Sequence, residues 1–109
     1  MKKLICATLA AAMALSLAAC GSTASGSEST PIKLGGIGPT TGNTAQYGVA
    51  VQQGEELAVQ EINEAAGYTV FELQFEDDES DPETALNAYN NLKDWGMQIL
   101  LGTVTSRIC

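Results

Sequence analysis

Histidine is absent from the 109 residues, basic side chains number only five, and aromatics make up 6% of the chain. Each shortage removes a class of chemistry. Without histidine, His-ligated zinc sites and both Cys–His and Ser–His–Asp catalysis lack their parts. Cysteine is equally sparse, with only Cys6, Cys20 and Cys109. Of the five bases, Lys2 and Lys3 open the chain, while all 13 acids lie from Glu28 onward. The segment after Cys20 therefore sets Lys33, Lys93 and Arg107 against 13 carboxylates, a formal charge of −10. A body this acidic repels phosphate backbones, so no nucleic-acid partner is expected. The length leaves room for at most one small domain with a marginal core.

What is present divides sharply. Lys2-Lys3 is a positive n-region, and Leu4 to Leu17 is an apolar run of 14 residues. A bilayer-spanning helix needs ~20 residues, so the run fits the h-region of a secretory signal instead. It ends in Leu17-Ala18-Ala19-Cys20-Gly21, which resembles a bacterial lipobox, where the Cys is acylated and becomes the new N-terminus. Residues 1–19 are expected to be a lipoprotein signal peptide and Cys20 the lipidation site. Gly21 to Pro31 (GSTASGSESTP) holds too little apolar surface to fold. As a Gly/Ser-rich coil it spans on the order of 20 Å, so residues 20–31 read as a lipidated Cys and a flexible tether. Processing would remove Cys6 and acylate Cys20. Cys109 then stands alone, with no disulfide in the mature chain unless Cys20 is unmodified.

Residues 32–109 read as strand, helix, strand, helix, strand. Ile32 to Gly38 (IKLGGIG) lies between Pro31 and Pro39 and has the pattern of a buried strand with glycines for close packing. From about Thr44 to Ala66 the period lengthens. Tyr47, Ala50, Val51, Gly54, Ala58, Ile62 and Ala65 form one apolar stripe, with Gln52, Gln53, Glu56, Gln60, Asn63 and Glu64 opposite. Gly67 supplies a stop. Tyr68 to Phe75 (YTVFELQF) favours a second strand. Asp81-Pro82-Glu83 is a helix start, with a cap, a proline in the first turn and an acid beside the helix dipole. Ala85, Leu86, Ala88, Tyr89, Leu92 and Trp95 give that helix its apolar side, and Gly96 ends it. Met97 to Leu101 (MQILL) is a continuous apolar strand of the parallel-sheet kind. The expected class is α/β, a three-layer β-α-β-α-β parallel sheet with right-handed crossovers. Ligands of such sheets bind beyond the carboxyl ends of the strands.

Three loops share that edge. The first, residues 38–47, offers Gly36 and Gly38 to a dinucleotide fingerprint, but Thr41 stands where its last glycine belongs. It reads either as a turn leading into the helix or as a turn presenting hydroxyls and Tyr47 to a ligand. The second, Glu76 to Asp81, holds five carboxylates in six residues. A calcium loop of the EF-hand type would need Gly where Pro82 stands and Glu where Ala88 stands. The acids are therefore expected to cap the second helix and face solvent, with no metal site. The third, Gly102 to Ser106 (GTVTS), would offer a carboxylate-sized anion site if a helix begins there, or else only a hydroxyl turn. A phospho-receiver would want acids directly after the first strand, where this chain has Gly-Pro-Thr-Thr.

In order, the lipobox, IKLGGIGPTTG, AQYG, ELAVQEINE, EDDESDP and ILLGTVTS resemble the opening of a type I periplasmic-binding-protein-like domain of the Leu/Ile/Val-binding family, over about Ile32 to Ser106. That family comprises solute receptors of ABC importers for branched-chain and related amino acids. The resemblance implies a non-enzymatic, extracytoplasmic solute-binding component without cofactors. Its partners would be an amino-acid ligand, an ABC permease, and the membrane through the N-terminal lipid. Its two α/β lobes would close on the ligand, whose carboxylate and ammonium polar groups of the first lobe hold. Tyr47 matches the aromatic that walls the pocket. Val104, Thr105 and Ser106 match the strand-end residues that meet the ligand, Ser106 through its hydroxyl and backbone N–H. Some relatives carry a disulfide where this chain has Ser80 and Thr105. After Ser106 the family continues into a third helix, whereas this chain reads Arg107-Ile108-Cys109. Residues 32–109 are thus expected to be a partial, incomplete N-terminal lobe, through truncation or a frameshift. A different class, a small self-contained surface lipoprotein acting by protein contact, is the alternative.

Overall fold

The structure is a computed structural model that describes residues 29–109. The expected signal peptide, Cys20 and most of the tether lie outside the described residues. Strand β1 (Ile32–Gly38), helix α1 (Ala45–Ala66), strand β2 (Phe71–Asp77), helix α2 (Pro82–Trp95) and strand β3 (Ile99–Leu101) follow in that order. The strands form one parallel sheet ordered β2-β1-β3. Ile32 pairs with Phe71 and Gly38 with Asp77 at the two ends of the β1–β2 ladder, and Leu34 to Gly36 pair with Ile99 to Leu101 on the other side. Central β1 is buried from Leu34 to Gly38.

Two adjacent glycines show where the helices lie. Successive strand residues point to opposite faces. A Cβ built on Gly35 would run into Met97 and come within 3.0 Å of Leu92 on α2, whereas one on Gly36 would meet Phe75 and lie 2.5 Å from Glu55 Oε2 on α1. The helices therefore cover opposite faces, giving the three layers expected. This follows from handedness: the first crossover steps from β1 to β2 and the second runs back the other way, from β2 past β1 to β3, so connections of one hand must pass on opposite sides. On the α2 face, Ile37, Ala88 and Leu92 form the core, with Trp95 and Met97 packed against it.

Helix α2 begins and ends as its sequence dictates. The Asp81 carboxylate accepts the Glu83 and Thr84 N–H groups, and Pro82 takes the first helical position. Gly96, at φ 96°, closes the helix by donating its N–H to the Leu92 and Lys93 carbonyls. Lys33 on β1 completes this end. Its ammonium donates to the Trp95 carbonyl at 3.0 Å and lies 4.8 Å from the centre of the indole ring, where the helix dipole and the ring both favour a cation.

Three expectations about the elements need correction. First, β2 starts at Phe71, not Tyr68, and runs on to Asp77. The Asn63 side chain accepts the Val70 and Phe71 N–H groups and donates to the Phe71 carbonyl, so this stretch is bound to α1 before the ladder opens. Second, β3 is shorter than Met97 to Leu101. Met97 N–H goes to the Leu92 carbonyl and Gln98 N–H to the Lys33 carbonyl, leaving Ile99–Leu101 as the strand. Third, α1 turns a different face inward. Gly48 is buried and Val49, Gln52, Glu55, Val59 and Asn63 are half-buried, while the expected stripe of Tyr47, Val51, Ala58 and Ile62 is exposed. The rotation is set at both ends: Gly48 lies against the Pro39 backbone, and Asn63 is bonded to the start of β2.

Candidate functional site

At the carboxyl edge of the sheet, β1 and β3 end on either side of the point where the strand order reverses, the usual place for a ligand in this class of sheet. Loop 1 (residues 39–44) leaves β1, loop 2 (78–81) leaves β2, and loop 3 (102–109) leaves β3.

Loop 2 does not simply face solvent, and this corrects the reading of its acids. Because Gly38 and Asp77 are register partners, the Asp77 carboxylate emerges beside the root of loop 1. Its Oδ1 accepts the Thr40 N–H at 2.8 Å and the Glu79 N–H at 2.9 Å, and its Oδ2 accepts the Thr41 hydroxyl at 2.5 Å. Burial pushes the Asp77 carboxyl up, but the hydrogen bonds from Thr41, Glu79 and Thr40 together hold it below the usual carboxylate range. Asp78 is fully buried. One of its oxygens accepts the Ser80 N–H at 2.8 Å, and the other has no partner. Asp81, as the α2 cap, and the exposed Glu79 behave as expected. The N–H and hydroxyl of Thr84, the Glu83 N–H and the charge of Arg107 lower the Asp81 carboxyl below the ordinary value despite some desolvation.

The turn itself is strained. Glu79 and Ser80 have φ of 50° and 57°, a left-handed conformation that costs a non-glycine residue about 1–2 kcal/mol. The carboxylates of Asp77 and Asp78, each holding the N–H two residues on, offset that cost with charge-assisted bonds. The turn thereby directs the Ser80 hydroxyl to the Thr44 hydroxyl, 2.6 Å away. Among the described residues no group of three or more His, Cys, Asp or Glu side chains is arranged to hold a metal.

Loop 3 folds back over the tip of β1. A Cβ on Gly38 would lie 2.5 Å from Val104 Cγ2 and 3.1 Å from Phe75 Cζ, so Val104 packs on the bare end of the strand. Thr105 is half-buried, and its hydroxyl is shut from solvent without a partner. Its carbonyl accepts the Ile108 N–H at 3.1 Å. Ser106 is exposed in a turn, not a helix, so the free N–H groups of a helix start are not formed here. Tyr47 stands in the first turn of α1, 58% exposed, with its N–H on the Thr44 carbonyl. The structure thus brings Val104 against the end of β1 and leaves Tyr47 and Ser106 on the same edge with no hydrogen bond between them. An apolar cleft of about 300 Å³ lies elsewhere, between α2 and β3, and neither Tyr47 nor Val104 to Ser106 lines it.

Sequence reasoning missed the bracing of loop 1 by loop 2. The signal was available: a Thr-Thr pair just past β1 and an Asp-Asp pair at the end of β2. It becomes visible only once the two strands are known to end in register.

Comparison with known proteins agrees with this architecture. A family model described as periplasmic binding protein matches residues 31–109. The Leu/Ile/Val-binding protein homolog 3 of Brucella melitensis is 35% identical over 79 residues, covering 71% of this chain and 22% of the relative. The Leu/Ile/Val-binding protein BraC3 of Rhizobium johnstonii shows the same identity and coverage. The leucine-, isoleucine-, valine-, threonine-, and alanine-binding protein of Pseudomonas aeruginosa is 35% identical over 77 residues, which are 69% of this chain and 21% of that protein. The chain thus spans about a fifth of the length of these relatives. With a family model matched across the whole sheet and its three edge loops, the chain belongs to the periplasmic binding protein family.

Proposed function

We propose that this chain forms part of an extracytoplasmic solute receptor for branched-chain or related amino acids, one that binds and releases its ligand without chemistry and delivers it to an ABC permease. The observation that carries this reading is the packing of Val104 on Gly38, which sets a hydroxyl-bearing loop over the tip of the central strand in a chain related to Leu/Ile/Val-binding proteins. In this reading Ser106 offers its hydroxyl and backbone N–H to the ligand carboxylate, Thr105 borders it, Val104 closes the floor, and Tyr47 forms one wall. Hydroxyls and N–H groups suit a carboxylate because charge-assisted hydrogen bonds are the strong ones. No cofactor is required. Cys20, outside the described residues, would carry the lipid that holds the receptor at the cell membrane.

Calorimetric titration of the 109-residue chain with leucine, isoleucine, valine, alanine and threonine tests the binding. A ligand at 100 times its Kd should also stabilise the protein by ~2.7 kcal/mol, and Ser106→Ala should weaken binding about tenfold. Absence of heat and of thermal stabilisation with all five solutes would refute the reading. Labelling with a radioactive fatty acid should mark the wild type and not Cys20→Ala.

A further inference from the structure

We propose that Asp77 and Ser80, at the end of β2, are positioning residues for the solute site: they hold loop 1, and through Thr44 the first turn of α1 with Tyr47, in the shape that the ligand meets. This rests on the reading above that Tyr47 and loop 1 border the solute.

Two latches join the loops at separate points. The Asp77 carboxylate grips Thr40 by its N–H and Thr41 by its hydroxyl. Ser80 grips Thr44 hydroxyl to hydroxyl. Between them they fix both ends of a loop whose middle, Gly42 and Asn43, is exposed. Tyr47 then hangs from the second latch, because its N–H donates to the Thr44 carbonyl at 3.0 Å.

Thr44 supplies the telling detail. It occupies the N-cap of α1, where a threonine hydroxyl ordinarily accepts an N–H from the first helical turn. Here the side chain makes no cap bond and is committed to Ser80 instead. A local rule is set aside for a link between loops 36 residues apart in sequence, the kind of exception found where function constrains a structure. The strain at Glu79 and Ser80 has the same sense, since relaxing it would withdraw the Ser80 hydroxyl from Thr44. Asp77 also takes the Thr40 N–H and the Thr41 hydroxyl, so these two groups are not free for a ligand anion.

The charged groups around Asp77 are Glu76, Asp78 and Glu79 on its own strand end and Asp81 at the α2 cap, with Arg107 of loop 3 near Asp81. Loop 1 and the first turn of α1 up to Tyr47 carry no ionisable group other than Tyr47 itself, and Lys33 lies at the far end of β1.

The test reads loop 1 directly, by residue-resolved amide hydrogen exchange on the full chain without ligand. At neutral pH, Asp77→Ala should speed exchange at Thr40 and Tyr47 about tenfold or more, with the β1 amides of Leu34 and Ile37 unchanged. Thr41→Val should do so at Thr40 while Thr41→Ser restores protection, and Ser80→Ala should act at Tyr47. In the wild type, protection at Thr40 should fall as the pH drops below the ordinary aspartate value of ~3.9, and Asp77→Asn should abolish that dependence. Should Asp77→Ala fail to fold, Thr41→Val and Ser80→Ala still decide. Wild-type protection at Thr40 in Thr41→Val, together with wild-type protection at Tyr47 in Ser80→Ala, overturns the proposal. Leucine affinity forms a separate arm: Thr41→Val should weaken it about three- to tenfold with Ser106 intact. If the wild type binds no amino acid, the receptor reading fails on its own, and the exchange data still decide the latch.

Discussion

The same substitution at two glycines of α1 should move stability in opposite directions. Helix propensity alone favours alanine over glycine by about 1 kcal/mol at any interior helical position. At Gly54 nothing lies within 4 Å of a built Cβ, so Gly54→Ala should gain close to that full amount. At Gly48 the Cβ would fall 2.8 Å from Pro39 N and closer still to the carbonyl carbon and oxygen of Pro39. All three are backbone atoms and cannot rotate away. To bring the closest of these contacts, to the Pro39 carbonyl oxygen, to a normal separation of ~3.5 Å, the start of α1 or loop 1 must shift by ~2 Å. Overpacking of this kind costs about 1–3 kcal/mol, which exceeds the propensity gain, and the rigid wall favours the upper end. The net for Gly48→Ala is therefore a loss of about 1–2 kcal/mol, and the two variants should differ by about 2–3 kcal/mol. For 81 described residues, total stability is expected near 4–12 kcal/mol, so this is a large fraction. Urea unfolding followed by helical circular dichroism and by the fluorescence of Trp95, the single tryptophan, measures both. Gly48→Ala at or above wild-type stability would refute the close approach of α1 to Pro39 as the reason glycine is needed there.

Two further outcomes follow from the core and from one misplaced charge. Leu92 is fully buried against Ile37, Ala88, Trp95 and Met97, so Leu92→Ala should cost about 3 kcal/mol; a loss under ~1 kcal/mol in the same unfolding assay would show that the α2 layer is loosely packed. Glu55 points one carboxylate oxygen, without a partner, into the α1–sheet layer beside Gly36 and Phe75, and burial raises its carboxyl above the usual value. A raised carboxyl makes a contribution that is fully present below the unfolded value and lost as pH climbs through the folded one. Glu55→Gln should therefore stabilise the chain at neutral pH and flatten its pH dependence above ~4.3; unchanged melting temperatures from pH 4 to 7 relative to wild type would contradict this.

The parts of the fold that could be foretold are those fixed by short-range chemistry. Pro31 and Pro39 bracket β1, Asp81-Pro82 opens α2, and Gly67 and Gly96 close the two helices with φ of 76° and 96°. Each depends on atoms within a few residues. The rotation of α1 does not. Its sequence carries apolar residues on the Tyr47–Ile62 side and polar ones at Gln52 and Asn63, so amphipathicity alone selects the wrong face. What overrides it is tertiary: a glycine pressed on Pro39 at one end, and at the other an Asn63 amide that satisfies three backbone groups at the entry to β2. A half-buried amide that makes three hydrogen bonds to the backbone loses little by leaving water, and the weak apolar moment of the helix cannot outweigh it. The strand limits failed for the same reason, since Val70, Met97 and Gln98 make their bonds to side chains, helix ends or β1 before the ladders begin.

The acidic loop shows why a site is harder to foresee than a fold. Five carboxylates in six residues suggest either a cation or a solvated cap, because a linear reading weighs only their charge and spacing. The deciding fact is that β2 ends level with β1, which turns the Asp77 carboxylate toward the N–H and hydroxyl of Thr40 and Thr41 and the Ser80 hydroxyl toward Thr44. Hydrogen-bond donors occupy three of the four carboxylate oxygens of Asp77 and Asp78, two through N–H groups and one through the Thr41 hydroxyl, which is how a −10 segment keeps these acids bonded at its carboxyl edge. The carboxylate at that edge thus holds loop 1 in place through Thr40 and Thr41.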